Sequence, residues 1–232
     1  MVILVIGQEV IYSNDTWNIL KSKRKKALDV MEALEGLSLN LLAVGSIARG
    51  DVREESDIDI VITEYPQPYK VEILLGRRGY RIYRKVIIQA TPSYTPKAYL
   101  YLDPYDEIVV SFPLSKLKPR EVEFYKWGGC INYKEIEDNK RTPGINKELK
   151  VIIPTEFGHV EYPIFGMEGK VSKILKISIS TIMERERVLT RRRELGRTGV
   201  FLEYEINADE PIESVMKKLS RDNVYFRKAI SS

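Results

Sequence analysis

The feature that most constrains this chain is a Gly45-Ser46-Ile47-Ala48-Arg49-Gly50 hexapeptide followed, after six intervening residues, by Asp57-Ile58-Asp59-Ile60-Val61-Ile62. Leu39 to Val44 reads as a strand that delivers the chain to Gly45-Ser46. The acid/apolar alternation from Asp57 predicts a second strand. A brief helix and a loop are expected between the two, over 47–56. At Gly45 the missing Cβ lets a ligand approach the backbone closely. A helix starting there would offer free amides and the positive end of its dipole to an anion, with the Ser46 hydroxyl as a further donor. Asp57 and Asp59, two apart on a strand, project from one face. Their mutual repulsion is relieved by a cation, for which Mg²⁺ is the natural guest. A phosphate cradle beside paired acids is what phosphoryl or nucleotidyl transfer requires. A lone D-x-D reads first as the solvated face of an edge strand. The Gly-Ser element at fixed distance and the apolar run behind the acids favour the site.

The rest of the composition narrows the alternatives. With one Cys and one His among 232 residues, an internal disulfide, a four-ligand zinc site and a His-rich metal centre are all excluded. A Ser-His-Asp triad would need His159, and no G-x-S-x-G elbow accompanies it. Any metal must therefore be held by oxygen, which selects Mg²⁺ or Mn²⁺. No apolar run approaches the ~18 residues of a membrane span. The opening MVILVI lacks a basic n-region and a cleavage site, so a cytoplasmic protein is expected. Abundant Ile, Lys, Glu and Arg lean toward a thermophilic source.

Around the motif, helical periodicity over 17–34 precedes it, with Lys21, Lys23, Arg24, Lys25 and Lys26 crowded into its first half. That run reads as a solubilising face or as steering for a polyanion. Val71 to Leu75 is expected to start a helix, and strands are expected over 82–90, 98–102 and 107–112. Asp103-Pro104-Tyr105-Asp106 turns the last two into a hairpin. The fold class is α+β: a small mixed sheet with flanking helices, plus a basic, partly helical C-terminal region. Two domains are expected, 1–140 and 141–232.

The Gly45-Ser46-x-Ala48-Arg49-Gly50 … Ser56-Asp57-Ile58-Asp59 pattern resembles the signature of the DNA polymerase beta-like nucleotidyltransferase superfamily, closest to the minimal nucleotidyltransferases of archaea and bacteria. The resemblance covers roughly residues 25–115. It implies Mg²⁺ on Asp57 and Asp59, an NTP triphosphate such as that of ATP on Gly45 and Ser46, and transfer of a nucleoside monophosphate with release of pyrophosphate. Ile47 departs from the basic residue often found there, so Arg49 is expected to supply the phosphate charge. The family's third carboxylate is assigned first to Glu107, with Asp106 and Asp103 as rivals.

Residues 170–199 hold nine Lys/Arg against three Glu, an excess of six where the whole chain has +4. A helix ending near Ile177 and a second capped by Ser180 or Thr181 resemble a helix-turn-helix. The second helix would present Arg185, Arg187, Arg191, Arg192 and Arg193 to DNA or RNA. Alternatively, Ile182, Val188, Leu189 and Leu195 pack inward while the arginines stay solvated, partly paired with Glu184, Glu186 and Glu194. Gly196-Arg197-Thr198-Gly199 is expected to stop the helix in a turn. A further helix is expected around 212–219. His159 reads as a loop or strand-edge residue, and Trp127-Gly128-Gly129 as packing followed by a turn. The acceptor that best fits this charge pattern is RNA. A nucleic-acid-binding regulator with an inactive nucleotide-sensing domain and a protein-modifying transferase are the rivals.

Overall fold

The computed structural model describes residues 7–196 and 199–231. The opening six residues and Arg197-Thr198 therefore lie outside the described residues. In chain order the first half forms β1 (Gln8–Ile11), α1 (Asn14–Ala33), β2 (Leu41–Val44), α2 (Ser46–Arg49), β3 (Ile58–Ile62), α3 (Pro68–Arg77), β4 (Arg84–Gln89), β5 (Lys97–Tyr101) and β6 (Ile108–Pro113). The second half forms α4 (Pro119–Gly128), β7 (Cys130–Ile131), α5 (Tyr133–Glu137), β8 (Gly144–Ile145), β9 (Lys150–Thr155), β10 (Gly158–Pro163), α6 (Glu168–Leu175), α7 (Ile179–Leu195), β11 (Leu202–Ile206), α8 (Ile212–Asp222) and α9 (Val224–Ile230).

Two compact units are built from interleaved segments. The first takes the chain up to Lys25, Val44–Ser56 and the stretch from Val122. The second takes Lys26–Ala43, Asp57–Glu121 and the stretch from Gly199. The expected division near residue 140 thus falls inside the first unit. The physical reason is long-range pairing that no local composition announces: β10 pairs antiparallel with β1 across about 150 residues of chain, with His159 opposite Val10.

The first unit carries a four-stranded sheet in the order β1-β10-β9-β8. Its apolar core joins Trp127, Val151, Tyr162, Ile164, Val171, Leu175 and Ile182. His159 is a buried residue of the inner strand β10, not a loop residue, and Tyr12 Oη lies 2.8 Å from its Nδ1. The two helices expected on either side of Ile177 are α6 and α7. Lys176 takes a left-handed conformation (φ 53°) that ends α6, and Ser178 caps α7, its hydroxyl accepting from the Thr181 amide. The cap thus sits before the expected Ser180 or Thr181. Glu123 of α4 fixes this junction, accepting from the Ser178 amide (3.1 Å) and hydroxyl (2.7 Å) and from the Thr181 hydroxyl. Burial opposes the Glu123 charge, but these donors outweigh it and hold the carboxyl below its ordinary value.

Strands of the second unit lie in the order β11-β4-β5-β6-β3-β2 in a mixed sheet. The β3–β6 pair is parallel, while β6–β5, β5–β4 and β4–β11 are antiparallel. Ile58, Ile60 and Ile62 of β3 are fully buried, as are Leu100, Val110 and Phe112. Helix α3 packs on α8 and α8 on α9, and Val71, Leu75, Ile212, Val215 and Phe226 are buried. Burying one such side chain stabilises a fold by about 1.5–3 kcal/mol. Strand β11 and helix α9 were not anticipated. Glu203 and Glu205 alternate with half-buried Leu202 and Tyr204, which is the pattern of an edge strand whose turn signals lie far from its partner.

Candidate active site

In the first unit the Gly-Ser element is a sharp turn into the one-turn helix α2. Gly45 has φ +79°, a left-handed conformation, and the space where a Cβ would stand is open to 4 Å. A side chain at this position would be strained and would fill that space. Gly45 donates its amide to the Gly129 carbonyl (2.9 Å). The Ala48 and Arg49 amides both donate to the Gly45 carbonyl at 3.1 Å, and the Ser46 and Ile47 amides lie ahead of the helix's own bonds.

The cations expected to serve phosphate or solvent instead hold this turn. Arg49 is buried: its Nε and Nη2 each donate to Asp51 at 2.9 Å and its Nη1 to the Gly128 carbonyl at 2.6 Å. All three guanidinium nitrogens are therefore engaged within this turn. Within the basic run of α1, Arg24 is buried and donates to the carbonyls of Ile47 (2.9 Å) and Ala48 (3.4 Å). Burial, with Arg141 nearby, pulls its pKa down to about 10. Lys23, equally buried, donates to the Ser56 carbonyl at 2.7 Å. Two cations read from the sequence as a solvated face thus pin both ends of the loop between the Gly-Ser turn and the acids. Arg141 stacks over Trp17 (4.8 Å), donates to the Gly158 carbonyl (2.7 Å) and packs against the Cα of Gly50 (φ +104°). Sequence reasoning missed Arg141 because it sits in a polar, turn-rich stretch.

In the second unit Asp57 is exposed and immediately precedes β3, while Asp59 lies within it and is half-buried. Buried isoleucines separate the acids from the opposite face, so their alternation follows the expected pattern. The register Asp59↔Val109, Val109↔Tyr101, Tyr101↔Arg84 places four residues in one cross-strand row on the face that bears the acids. Tyr99 lies one row further on. Burial pushes its phenol well above the ordinary range, and the Asp59 carboxylate adds to the effect. Such a tyrosine donates hydrogen bonds and does not ionise in the physiological range. The alternation Lys97-Ala98-Tyr99-Leu100-Tyr101 carried the signal for this aromatic face.

The three candidates for a third carboxylate are each engaged. Glu107 faces Lys26, whose Nζ stands 3.1 and 3.3 Å from the two carboxylate oxygens. Its main chain serves the sheet, the carbonyl accepting from the Ile58 amide at 2.7 Å. Asp106 pairs with Arg84 at 2.5 Å. Asp103 accepts from the amides of Tyr105 (2.8 Å), Glu107 (3.1 Å) and Ile108 (2.6 Å). Burial works against the Asp103 charge, but those amides and then Lys26 hold its carboxyl below the usual value. Among the described residues, no three Asp, Glu, His or Cys side chains gather as a metal cluster.

The arginines of α7 are not equivalent. Arg185 is half-buried and stacks over Phe124 at 4.3 Å. Arg193 donates to the Lys147 carbonyl. Arg187, Arg191 and Arg192 are exposed. Ile182 is buried, Val188 and Leu189 are half-buried and Leu195 is exposed, so the apolar stripe fades toward the C-terminus.

The chain belongs to the nucleotidyltransferase domain family, whose model matches residues 24–153, over half of the sequence. That span takes in Gly45, Ser46, Asp57, Asp59 and Glu107 and stops before α6 and α7. A search of curated proteins found no match. Among the described residues, no helix is long and apolar enough to cross a membrane.

Proposed function

We propose that the protein transfers a nucleoside monophosphate from an NTP to a hydroxyl of an acceptor, with RNA the favoured acceptor, and releases pyrophosphate. What supports this reading is Asp59 within β3 with Asp57 immediately before it, inside a matched nucleotidyltransferase domain. Two carboxylates fit Mg²⁺, which prefers hard oxygen ligands and commonly takes one or two protein acids plus substrate phosphates. Mn²⁺ accepts the same donors. When bound, the metal supplies charge neutralisation to the phosphates. Gly45 and Ser46 provide backbone and hydroxyl donors for the triphosphate. In the reaction the acceptor hydroxyl gives its proton up to solvent as its oxygen bonds to the α-phosphorus, the bond from the α-phosphorus to the bridging oxygen breaks, and pyrophosphate leaves. Exposed Arg191 and Arg192 add cationic charge for the acceptor's phosphates.

A second reading is favoured by the engagement of Glu107, Asp106 and Asp103. In it the domain binds nucleotide without transferring it, and α6–α7 bind nucleic acid as a regulator. One experiment separates the two. Each α-phosphate-labelled NTP is supplied with Mg²⁺, total RNA and lysate protein, with wild type beside Asp57→Ala and Asp59→Ala. Transfer is expected in the wild type and should fall to under about a hundredth in both variants, a loss of roughly 2.7 kcal/mol. Label on protein alone would reassign the acceptor. Full activity in both variants would sink the mechanism, and no label with NTP still bound would favour the regulator.

A further inference from the structure

The face of the second unit's sheet that bears Asp59 also carries a pre-assembled stack. Arg84 Cζ sits 3.7 Å from the centroid of the Tyr101 ring, well inside the range of a cation–π contact. Asp106, in a left-handed conformation at φ +59°, grips the same guanidinium at 2.5 Å. The side chain is thus fixed at two points, although a third of its surface is exposed. A guanidinium held over an aromatic ring and gripped by a carboxylate has lost rotamer freedom before any ligand arrives, which lowers the cost of stacking a further planar group.

Its position relates it to the acids. Tyr101 stands two strands from Asp59 in one cross-strand row and Arg84 three, so their backbones lie about 10 and 14 Å from that of Asp59. The Asp59 charge reaches the Tyr101 phenol, whose pKa is raised by burial first, with Arg84 opposing and Asp106 and Asp59 adding. Beyond Arg84, where β11 ends at Ile206, a cavity of about 430 Å³ is lined by Tyr83, Arg84, Lys85, Glu205 and Asn207. Its volume lies within the range of small-molecule sites. An Arg–Tyr–Asp group could serve only to brace the β5–β6 hairpin. A brace alone does not require alignment with the acid pair or a cavity at its outer edge.

We infer that Tyr101 and Arg84 form a nucleobase platform. One base stacks on it while the phosphate or hydroxyl of the reacting nucleotide lies toward Asp59. The inference rests on the nucleotidyl-transfer reading and deepens it. Stacking on an aromatic ring or a guanidinium plane is how proteins hold unpaired bases without reading sequence. At two to three strand spacings from Asp59, the platform suits a base of a single-stranded acceptor.

The test measures binding, so it stands apart from transfer. Fluorescence anisotropy of the full chain would follow a fluorescein-labelled 12-nucleotide single-stranded RNA and, separately, a fluorescent ATP analogue. Tyr101→Leu keeps an apolar side chain on the strand and removes the ring, and Tyr101→Phe restores it. Stacking energies per base predict about a fivefold or greater loss of RNA affinity in Tyr101→Leu and recovery to within about twofold in Tyr101→Phe. Because neither substitution changes charge, the salt dependence should be unaltered. Loss confined to the ATP analogue would assign the base to the substrate nucleotide and still support the platform. Unchanged affinity for both ligands in a folded Tyr101→Leu protein would overturn it. Should that variant not fold, photocrosslinking of 4-thiouridine RNA to the wild type decides. Adducts on Tyr101 or Arg84 are expected, and adducts only elsewhere overturn the inference. If label transfer fails while these binding effects hold, the reaction is wrong and the platform stands.

Discussion

Strand β3 and helix α7 both join charge to an apolar framework, yet they dispose of it in opposite ways. In β3, Ile58, Ile60 and Ile62 are buried on one face, and Asp59 is held on the other beside buried Val61. No other register buries the isoleucines, so the acids are placed by the hydrophobic effect itself. In α7 the apolar stripe is incomplete, and the arginines meet different surroundings. Arg185 lies on Phe124, Arg193 reaches a carbonyl, and Arg191 and Arg192 stay exposed. Charge in a pattern is positioned, whereas charge in a run is only concentrated.

The comparison breaks most sharply at Arg49, which breaks the rule that surface-type residues stay outside. Arg49→Ala would leave Asp51, whose side chain is only 14% exposed, without its partner. Losing one member of a buried pair costs roughly 3–5 kcal/mol. Thermal unfolding should register this as a fall of about 10 °C in Tm for a chain of this size. A shift of a degree or two would mean that Arg49 is free to serve phosphate after all.

For α7 the expected effect is smaller and purely electrostatic. Arg191→Gln/Arg192→Gln should leave circular dichroism and Tm unchanged. The slope of log affinity for duplex DNA or RNA against log salt should fall by about two. An unaltered slope would leave the helix as a solvated face.

The smallest effect concerns Asp103. Its folded pKa lies below the ordinary 3.8, so its stabilising contribution is complete above that value and is lost as pH falls through the folded one. Asp103→Asn keeps the Oδ1 acceptor for Tyr105 and Glu107 and loses the acceptor for Ile108. Urea denaturation below pH 4 should therefore show a shallower acid loss than wild type. Parallel pH curves would remove Asp103 from the hairpin's support.

What the sequence made legible follows the same division. Strands β3, β5 and β6 were readable because their periodicity and turn residues are local. The α2 turn and the acid pair were readable because Gly45 must have positive φ and Asp57 and Asp59 alternate with isoleucine. Strand β1 and the two-unit division were not, because antiparallel pairing with β10 is a property of distant segments. The buried contacts of Arg49, Arg24 and Lys23 were not legible for a related reason. A basic residue near a motif looks the same whether it meets solvent, a phosphate or a buried carbonyl, and only the surrounding packing decides. Tyr101 was overlooked because tyrosines in a strand read first as packing.

The central claim is that Asp57 and Asp59 together hold the divalent metal of a nucleotide-transfer site. Electron paramagnetic resonance of Mn²⁺ titrated into the protein with a non-hydrolysable NTP analogue tests it without reference to any acceptor. The account predicts loss of the free Mn²⁺ signal with wild type and its persistence with the Asp57→Asn/Asp59→Asn double variant at equal folded concentration. Equal Mn²⁺ uptake by the double variant would contradict it and send the search for the metal elsewhere in the chain.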